Sequence, residues 1–134
     1  MNQNTFMAAK ILSVDDSKTI RLVIARALRP YDCAVTEATN GEEGLAAITR
    51  EKPDLIILDI TMPVMDGVTM LAQLKENEEW KKIPVLMLTA ESGRDNMLFI
   101  SKLGIRDYQT KPFKDDEFIG KISRIVDLQK KAAA

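Results

Sequence analysis

The sequence predicts a single α/β domain, in which helices cover both faces of a five-stranded parallel β-sheet. Short apolar runs rich in branched residues alternate with longer segments of helical spacing, and 134 residues suffice for one compact domain. The run Leu55–Leu58 has no polar alternation, which is typical of a strand buried on both faces. Since no linker or repeat interrupts this pattern, we expect one domain over residues 1–134, with its core at about 10–128.

The predicted elements alternate in the order βαβαβαβαβα, which in so short a chain favours a parallel sheet. The strands are predicted at residues 11–14, 33–38, 55–58, 85–88 and 107–110. The helices are predicted at residues 20–28, 42–50, 68–75, 95–103 and 115–128. Pro30 stops the first helix, and Gly104 ends the fourth. In the last helix, five apolar side chains have the spacing of an inward face: Phe118, Ile119, Ile122, Ile125 and Val126.

The composition excludes several kinds of chemistry. The chain has no histidine, which removes histidine acid–base catalysis, Ser-His-Asp and Cys-His nucleophiles, and most zinc sites. Cys33 is the only cysteine, so no intrachain disulfide can form, and we expect a small buried apolar group on a strand. A net charge of -1 gives no electrostatic reason to bind nucleic acid or an anionic membrane. With no signal peptide or membrane-spanning run, we expect a soluble cytoplasmic protein.

Polar side chains follow four of the predicted strands. Three carboxylates, a hydroxyl and an ammonium group occupy these positions: Asp15, Asp16, Asp59, Thr89 and Lys111. Each has an ordinary explanation by itself, since Asp16 or Ser17 can cap the first helix, a strand-end aspartate can form a turn, and most loop lysines are solvated. Capping and turns do not require all five to meet at the carboxyl edge of the sheet. Because open α/β sheets bind ligands at that edge, we predict a site there.

The residue types at this edge favour phosphoryl transfer. Three adjacent carboxylates repel each other unless a cation compensates their charge. An oxygen donor set without imidazole or thiolate selects Mg²⁺ or a similar divalent ion. A metal held by two acids can orient a phosphoryl group against the third, which then acts as the nucleophile. The hydroxyl and the lysine neutralise charge on the transferring group.

Five short motifs together resemble the receiver domain of two-component response regulators, and most closely its stand-alone, CheY-like members. These motifs are Val-Asp-Asp-Ser at 14–17, Leu-Asp-Ile-Thr-Met-Pro at 58–63, Met-Asp-Gly at 65–67, Leu-Thr-Ala-Glu at 88–91 and Asp-Tyr-Gln-Thr-Lys-Pro-Phe at 107–113. The resemblance extends from about Lys10 to Leu128. It implies a doubly wound, flavodoxin-like sheet of strand order 2-1-3-4-5.

The resemblance also implies roles for the strand-end residues. Asp59 matches the phosphorylated aspartate, and Lys111 matches the lysine that pairs with the phosphoryl group. The Mg²⁺ ligands are implied to be the side chains of Asp16 and Asp59 and the backbone carbonyl of Thr61. Asp15 matches the acid that holds metal-bound water.

A second group of matching residues is implied to carry the signal to an output face. Thr89 matches the hydroxyl that turns toward the phosphoryl group, and Tyr108 matches the aromatic side chain that swings inward on activation. The peptide bond before Pro112 is expected to be cis. The output face, which a downstream effector binds, is implied to comprise the fourth helix, the fifth strand and the fifth helix. Its candidate contact residues are Arg94, Ser101, Lys102, Tyr108, Lys121 and Ile122.

The implied function is a phosphorylation-activated switch in two-component signalling, for example in chemotaxis. Asp59 accepts a phosphoryl group from the phosphohistidine of a sensor histidine kinase or phosphotransfer protein, and water later removes it. The chain is expected to be a signalling switch and not an enzyme, catalysing only its own Mg²⁺-dependent phosphorylation and dephosphorylation. A monomer without nucleic-acid or membrane partners is expected, and dimerisation on phosphorylation is the alternative.

A few residues depart from the pattern of the best-known relative. Ile60 replaces an aromatic residue, so Trp80 is not expected to report metal or phosphate binding by its fluorescence. Thr61 and Glu91 occupy the two positions that tune dephosphorylation across the family. Ile105 is bulkier than the small residue common in its loop, so the fourth helix is not expected to pack as it does in the best-known relative.

Alternative functions stay open on the sequence. The chain can be a receiver domain excised from a longer regulator, or a phosphorelay intermediate. A receiver-shaped binding module without phosphate turnover would lack one of the acids or the lysine, and none is missing. A phosphatase of the haloacid dehalogenase type would have a second acid two residues after its acceptor, where this chain has Thr61. A flavodoxin would need a hydroxyl-rich phosphate loop where Asp15 and Asp16 would repel the flavin phosphate.

Overall fold

The computed structural model describes residues 8–90, 98, 100–105 and 107–132. The strands are β1 Ala9–Val14, β2 Cys33–Ala38, β3 Leu55–Asp59, β4 Val85–Ala90 and β5 Tyr108–Lys111. The helices with defined bounds are α1 Lys18–Leu28, α2 Gly41–Arg50, α3 Gly67–Glu76 and α4 Asp115–Ser123. Residues 100–102 are also helical, and the rest of the helix predicted at 95–103 lies partly outside the described residues.

The five strands form one parallel sheet in the order β2-β1-β3-β4-β5. This arrangement confirms the doubly wound, flavodoxin-like α/β fold. Consecutive side chains of a strand point to opposite faces, so the sheet separates two apolar cores. One core contains residues of α2 and α3, and the other contains residues of α1 and α4. All five residues of β3 are buried, as its unbroken apolar run predicted.

Side-chain caps begin three of the four helices whose bounds the structure defines. The Ser17 hydroxyl accepts a hydrogen bond from the Ile20 N–H at 3.2 Å at the start of α1. Asn40 caps α2 by accepting from the Glu43 N–H at 2.9 Å, and Asp66 caps α3 by accepting from the Thr69 N–H at 2.8 Å. Of the two candidate caps for α1, the cap is therefore Ser17 and not Asp16.

The helical segment before β5 ends at Gly104, as the sequence predicted. Gly104 has a φ of 87°, and its N–H donates to the Ser101 carbonyl at 3.0 Å. The N–H of Ile105 reaches back to the Ile100 carbonyl at 3.3 Å, which completes a Schellman-type ending. Ile100 and Ile105 are both buried in the core that contains α2 and α3. The bulk of Ile105 is therefore accommodated by packing.

The last helix is shorter than predicted, because α4 ends at Ser123 instead of near residue 128. The chain beyond it runs antiparallel to the segment before β2. The Asp32 N–H donates to the Gln129 carbonyl at 2.7 Å, and the Lys131 N–H donates to the Pro30 carbonyl at 2.8 Å. The chain is therefore extended at residues 129–131, beyond the end of the predicted helix.

The inward face of α4 is also narrower than predicted. Phe118 and Ile122 are fully buried, whereas Ile119, Ile125 and Val126 are partly buried at the edge of the same core. The expectation that Ile122 contributes to an output face is wrong, because its side chain packs inside the core that contains α1 and α4.

Cys33 lies on β2, as expected, but it is half-buried and not fully enclosed. Burial raises the pKa of its thiol, and the Lys131 charge opposes that shift. In the described part of the chain, no helix is long and apolar enough to cross a membrane.

Candidate functional site

The carboxyl edge of the sheet brings three predicted acids together. One carboxylate oxygen from each of Asp15, Asp16 and Asp59 lies within 4.8 Å of the others. Asp15 is 1% exposed and Asp59 is 5% exposed, whereas Asp16 is exposed to solvent. β1 and β3 are adjacent and parallel, so the residues at their carboxyl ends meet although more than forty positions separate them in the chain.

Lys111, at the end of β5, reaches across to the acids. Its Nζ donates to Asp59 Oδ1 at 2.9 Å and lies 3.5 Å from Asp15 Oδ2. The second distance is within ion-pair range but forms no hydrogen bond. The structure therefore unites the predicted lysine with the predicted acids, and the peptide bond between Lys111 and Pro112 is cis, as expected.

Thr89 is buried near the end of β4, where it lies in register with Thr110 of β5. Its hydroxyl donates to the carbonyl of Ala90 at 2.9 Å. In this state the hydroxyl is engaged with its own strand. Thr61 follows β3 after one residue and is exposed.

The charges at this edge are unequal, because three carboxylates face one ammonium group. Burial raises the pKa of the Asp59 carboxyl, and the negative charges of Asp15 and Asp16 raise it further, against the Lys111 hydrogen bond that lowers it. Burial by itself would lower the pKa of Lys111, but the hydrogen bond and charge of Asp59 and the charge of Asp15 raise it. Lys111 is thus held as an ammonium ion, and it compensates the acids incompletely.

The polar atoms of Asp15 show where a further cation fits. Its Oδ1 accepts a hydrogen bond from the Ser17 N–H at 2.8 Å. Its Oδ2 is buried and has no hydrogen-bond partner among the residues that the structure describes. The Lys111 ammonium at 3.5 Å offsets part of the cost of burying this oxygen, and a second cation or a donor would offset the rest. The uncompensated charge and the oxygen-only donor set fit a hard divalent cation.

Comparison with known proteins decides the family. The family model of the response regulator receiver domain matches residues 11–123. The chain is a response regulator receiver domain. It is 37% identical over 113 residues to the protein PilG of Pseudomonas aeruginosa, covering 84% of both chains. It is 38% identical over 116 residues to the regulator PhoB of the same species, covering 87% of this chain but 51% of that protein.

The fold of the receiver domain is also that of solved relatives. The structure of the chemotaxis protein CheY4 of Vibrio cholerae matches with a TM-score of 0.82 and 31% identity, covering 90% of this chain and 100% of that one. Receiver domains belong to two-component systems, in which they interact with histidine kinases and downstream effectors. In general the receiver domain is a signalling switch and not an enzyme.

Tyr108 and Lys121 of the receiver domain are joined by a hydrogen bond. Lys121 Nζ donates to the backbone carbonyl of Tyr108 at 2.7 Å, and so ties α4 to β5. The half-buried Tyr108 side chain donates through its hydroxyl to the Ile105 carbonyl at 2.9 Å. Ser101 and Lys102 are exposed, while Arg94 lies outside the described residues, as does Glu91.

Two side chains near the site were not recognised from the sequence. Arg21 of α1 donates to the carbonyl of Asp15, and the fully buried Gln109 of β5 donates to Glu117 of α4 at 2.8 Å. A signal existed for Arg21, since long side chains in the first turn of a helix point back toward its N-terminus. The motif around Gln109 predicts a strand but contains nothing that predicts its partner.

Proposed function

We propose that this receiver domain is a phosphorylation-activated switch in which Asp59 accepts the phosphoryl group. One observation carries the proposal: Lys111 and the Asp15, Asp16 and Asp59 carboxylates converge at one sheet edge, with a buried Asp15 oxygen that has no hydrogen-bond partner in the described structure. The Lys111 ammonium group beside a carboxylate nucleophile supplies part of what phosphoryl transfer requires, which is positioning and charge neutralisation.

In the proposed reaction, an Asp59 oxygen forms a bond to phosphorus as the phosphorus–nitrogen bond of a donor phosphohistidine breaks. These 134 residues contain no histidine, so the donor histidine lies outside them, and we propose that a histidine kinase or a phosphotransfer protein supplies it. Water then cleaves the acyl phosphate and restores the carboxylate. Lys111 would pair with a phosphoryl oxygen, a role supported by its hydrogen bond to Asp59 at 2.9 Å.

We propose Mg²⁺ as the cofactor. The side chains of Asp16 and Asp59 and the backbone carbonyl of Thr61 would hold it, and Asp15 would hold its water. When bound, Mg²⁺ neutralises charge on the phosphoryl oxygens. The family resemblance supports the role of Thr61, whereas the convergence of the carboxylates supports the roles of Asp15, Asp16 and Asp59.

The proposed switch begins at Thr89. Its hydroxyl would leave the Ala90 carbonyl for a phosphoryl oxygen, and the half-buried Tyr108 would move inward. The contacts that tie Tyr108 to Ile105 and Lys121 would then change, and an effector would read the face that includes Tyr108 and Lys121. The receiver domain is proposed to act as a monomer in a chemotaxis-type pathway, with a place in a longer regulator as the alternative, since the chain spans 51% of PhoB.

The test is incubation with acetyl phosphate or phosphoramidate and Mg²⁺, followed by intact mass measurement. The wild-type chain should gain the mass of one phosphoryl group, and chelation of Mg²⁺ should prevent the gain. Asp59→Asn should abolish it, whereas Asp54→Asn, at an exposed aspartate before β3, should not. Uptake that survives Asp59→Asn would disprove the assignment of the acceptor.

A further inference from the structure

Arg21 reaches from α1 back to the loop that carries two of the site acids. Its Nη1 donates to the backbone carbonyl of Asp15 at 2.7 Å. Its Nε donates to Glu37 Oε1, near the end of β2, also at 2.7 Å. The Arg21 side chain is only 14% exposed, which is unusual for an arginine at a protein surface. The guanidinium is therefore held at two points in a fixed orientation.

With Arg21 included, almost every polar atom of Asp15 has a partner. Its N–H donates to the Ala38 carbonyl at 3.0 Å, its carbonyl accepts from Arg21, and its Oδ1 accepts from the Ser17 N–H. Oδ2 is the exception among these atoms. The contacts thus orient the residue so that one carboxylate oxygen points toward the cluster with Asp16 and Asp59.

The Arg21 hydrogen bond restrains the peptide group between Asp15 and Asp16. The Asp15 carbonyl belongs to the planar peptide unit that links Asp15 to Asp16. Fixing the direction of that carbonyl restrains the backbone rotation on both sides of the unit. One hydrogen bond therefore constrains the directions in which both carboxylates leave the backbone.

We propose that Arg21 is a positioning residue for the metal site, acting through the Asp15–Asp16 peptide and held in place by Glu37. This inference rests on the proposed function, because it assumes that these carboxylates bind a divalent cation. Arg21 directs its second donor at a backbone carbonyl and not at a carboxylate. A surface ion pair that served stability alone would need only Glu37.

The test measures Mg²⁺ binding separately from folding. The Mg²⁺ dissociation constant is determined by titration calorimetry, and the free energy of unfolding is determined by urea denaturation in the presence of chelator. Arg21→Met, which keeps the apolar stem and removes both donors, should raise the dissociation constant about tenfold, as is typical when a residue that orients a metal ligand is lost. The matched control is Arg26→Met, at an exposed position in the last turn of α1, which should bind Mg²⁺ like the wild type.

Two further variants separate the carbonyl contact from the ion pair. Glu37→Gln keeps an acceptor for Nε and leaves the Asp15 contact intact, so its dissociation constant should rise less than that of Arg21→Met. If Arg21→Met does not fold, Arg21→Lys replaces it. An ammonium group cannot satisfy Asp15 and Glu37 in the same planar geometry, so binding should still weaken measurably.

The outcomes distinguish this inference from the proposed function. Wild-type Mg²⁺ affinity in a folded Arg21→Met chain, or in Arg21→Lys where Met does not fold, would overturn the role of Arg21. So would a loss of affinity in Glu37→Gln as large as that in Arg21→Met, because the ion pair would then be what matters. Failure of the wild-type chain to bind Mg²⁺ at all would instead contradict the proposed function.

Discussion

Replacement of Gly67 by alanine probes how closely the start of α3 packs against the centre of the site. A Cβ built on Gly67 would collide with the backbone carbonyl of Asp59. The Gly67 N–H also donates to the Ile60 carbonyl at 2.8 Å, which holds the two segments together. The contact therefore cannot open without the loss of a backbone hydrogen bond, and the displaced atoms belong to the proposed acceptor residue.

Two opposing free-energy terms set the size of the effect. Alanine is better than glycine in a helix by about 0.5–1 kcal/mol. Forcing an extra carbon into a packed contact costs about 1–3 kcal/mol, and occasionally more. The upper part of that range applies, because the Asp59 backbone cannot rotate away as a flexible side chain would. The Gly67→Ala variant should therefore lose about 2 kcal/mol of unfolding free energy.

The assay is urea denaturation, with the same substitution made at two other glycines. In the described structure, a Cβ at Gly120 of α4 would meet no atom within 4 Å, so Gly120→Ala should gain about 0.5–1 kcal/mol. A Cβ at Gly44 would meet mainly the flexible end of Met70, so Gly44→Ala should lie between the other two. Equal or greater stability of Gly67→Ala relative to the wild type would refute the packing argument. Its rate of phosphorylation should also fall, since Asp59 must shift.

Three more predictions concern the site and its surroundings. Burial raises the pKa of Asp59, so its carboxylate opposes folding once the pH rises through that pKa. Asp59→Asn should accordingly be more stable than the metal-free wild type at neutral pH, and urea denaturation across a pH series should show the advantage shrinking as the pH falls. Val64 is 78% exposed and has a φ of 67°, which strains a β-branched residue, so Val64→Asn should gain about 1 kcal/mol in the same assay. No gain would mean that this loop is not strained. Lys114 begins α4 without a side-chain cap hydrogen bond in the described structure, and Lys114→Ser should raise the thermal midpoint through a cap of about 1 kcal/mol. An unchanged thermal midpoint would contradict the prediction that a serine at position 114 caps and stabilises α4.

Local patterns in the sequence were sufficient to predict most of the fold. The range predicted for β2, residues 33–38, matches the structure. The strand-end residues Asp15, Asp59 and Lys111 could be named as a site, since parallel strands bring their carboxyl ends to one edge. The strand order itself came from the family resemblance and not from the pattern.

The end of α4 illustrates where local patterns fail. Apolar residues recur at helical spacing as far as Val126, but α4 ends at Ser123, and residues 129 and 131 form backbone hydrogen bonds to the segment at 30–32. The family resemblance assigned Ile122 to the output face, whereas its helical spacing correctly placed it on the inward face, in the core. Helical spacing shows which residues share a face, but the neighbouring element decides whether that face is buried.

The sequence by itself determined which chemical groups this receiver domain can use: oxygen ligands, a hydroxyl and a lysine, with no histidine of its own. Tertiary structure decided how those groups are held. The Lys111 pairing with Asp59 joins residues 52 positions apart, and the Arg21 contact with Asp15 depends on the helix lying against β1 and β2. Hydrogen bonds depend on distance and angle in space, so no spacing in the chain could reveal which Asp15 oxygen would be left without a hydrogen bond.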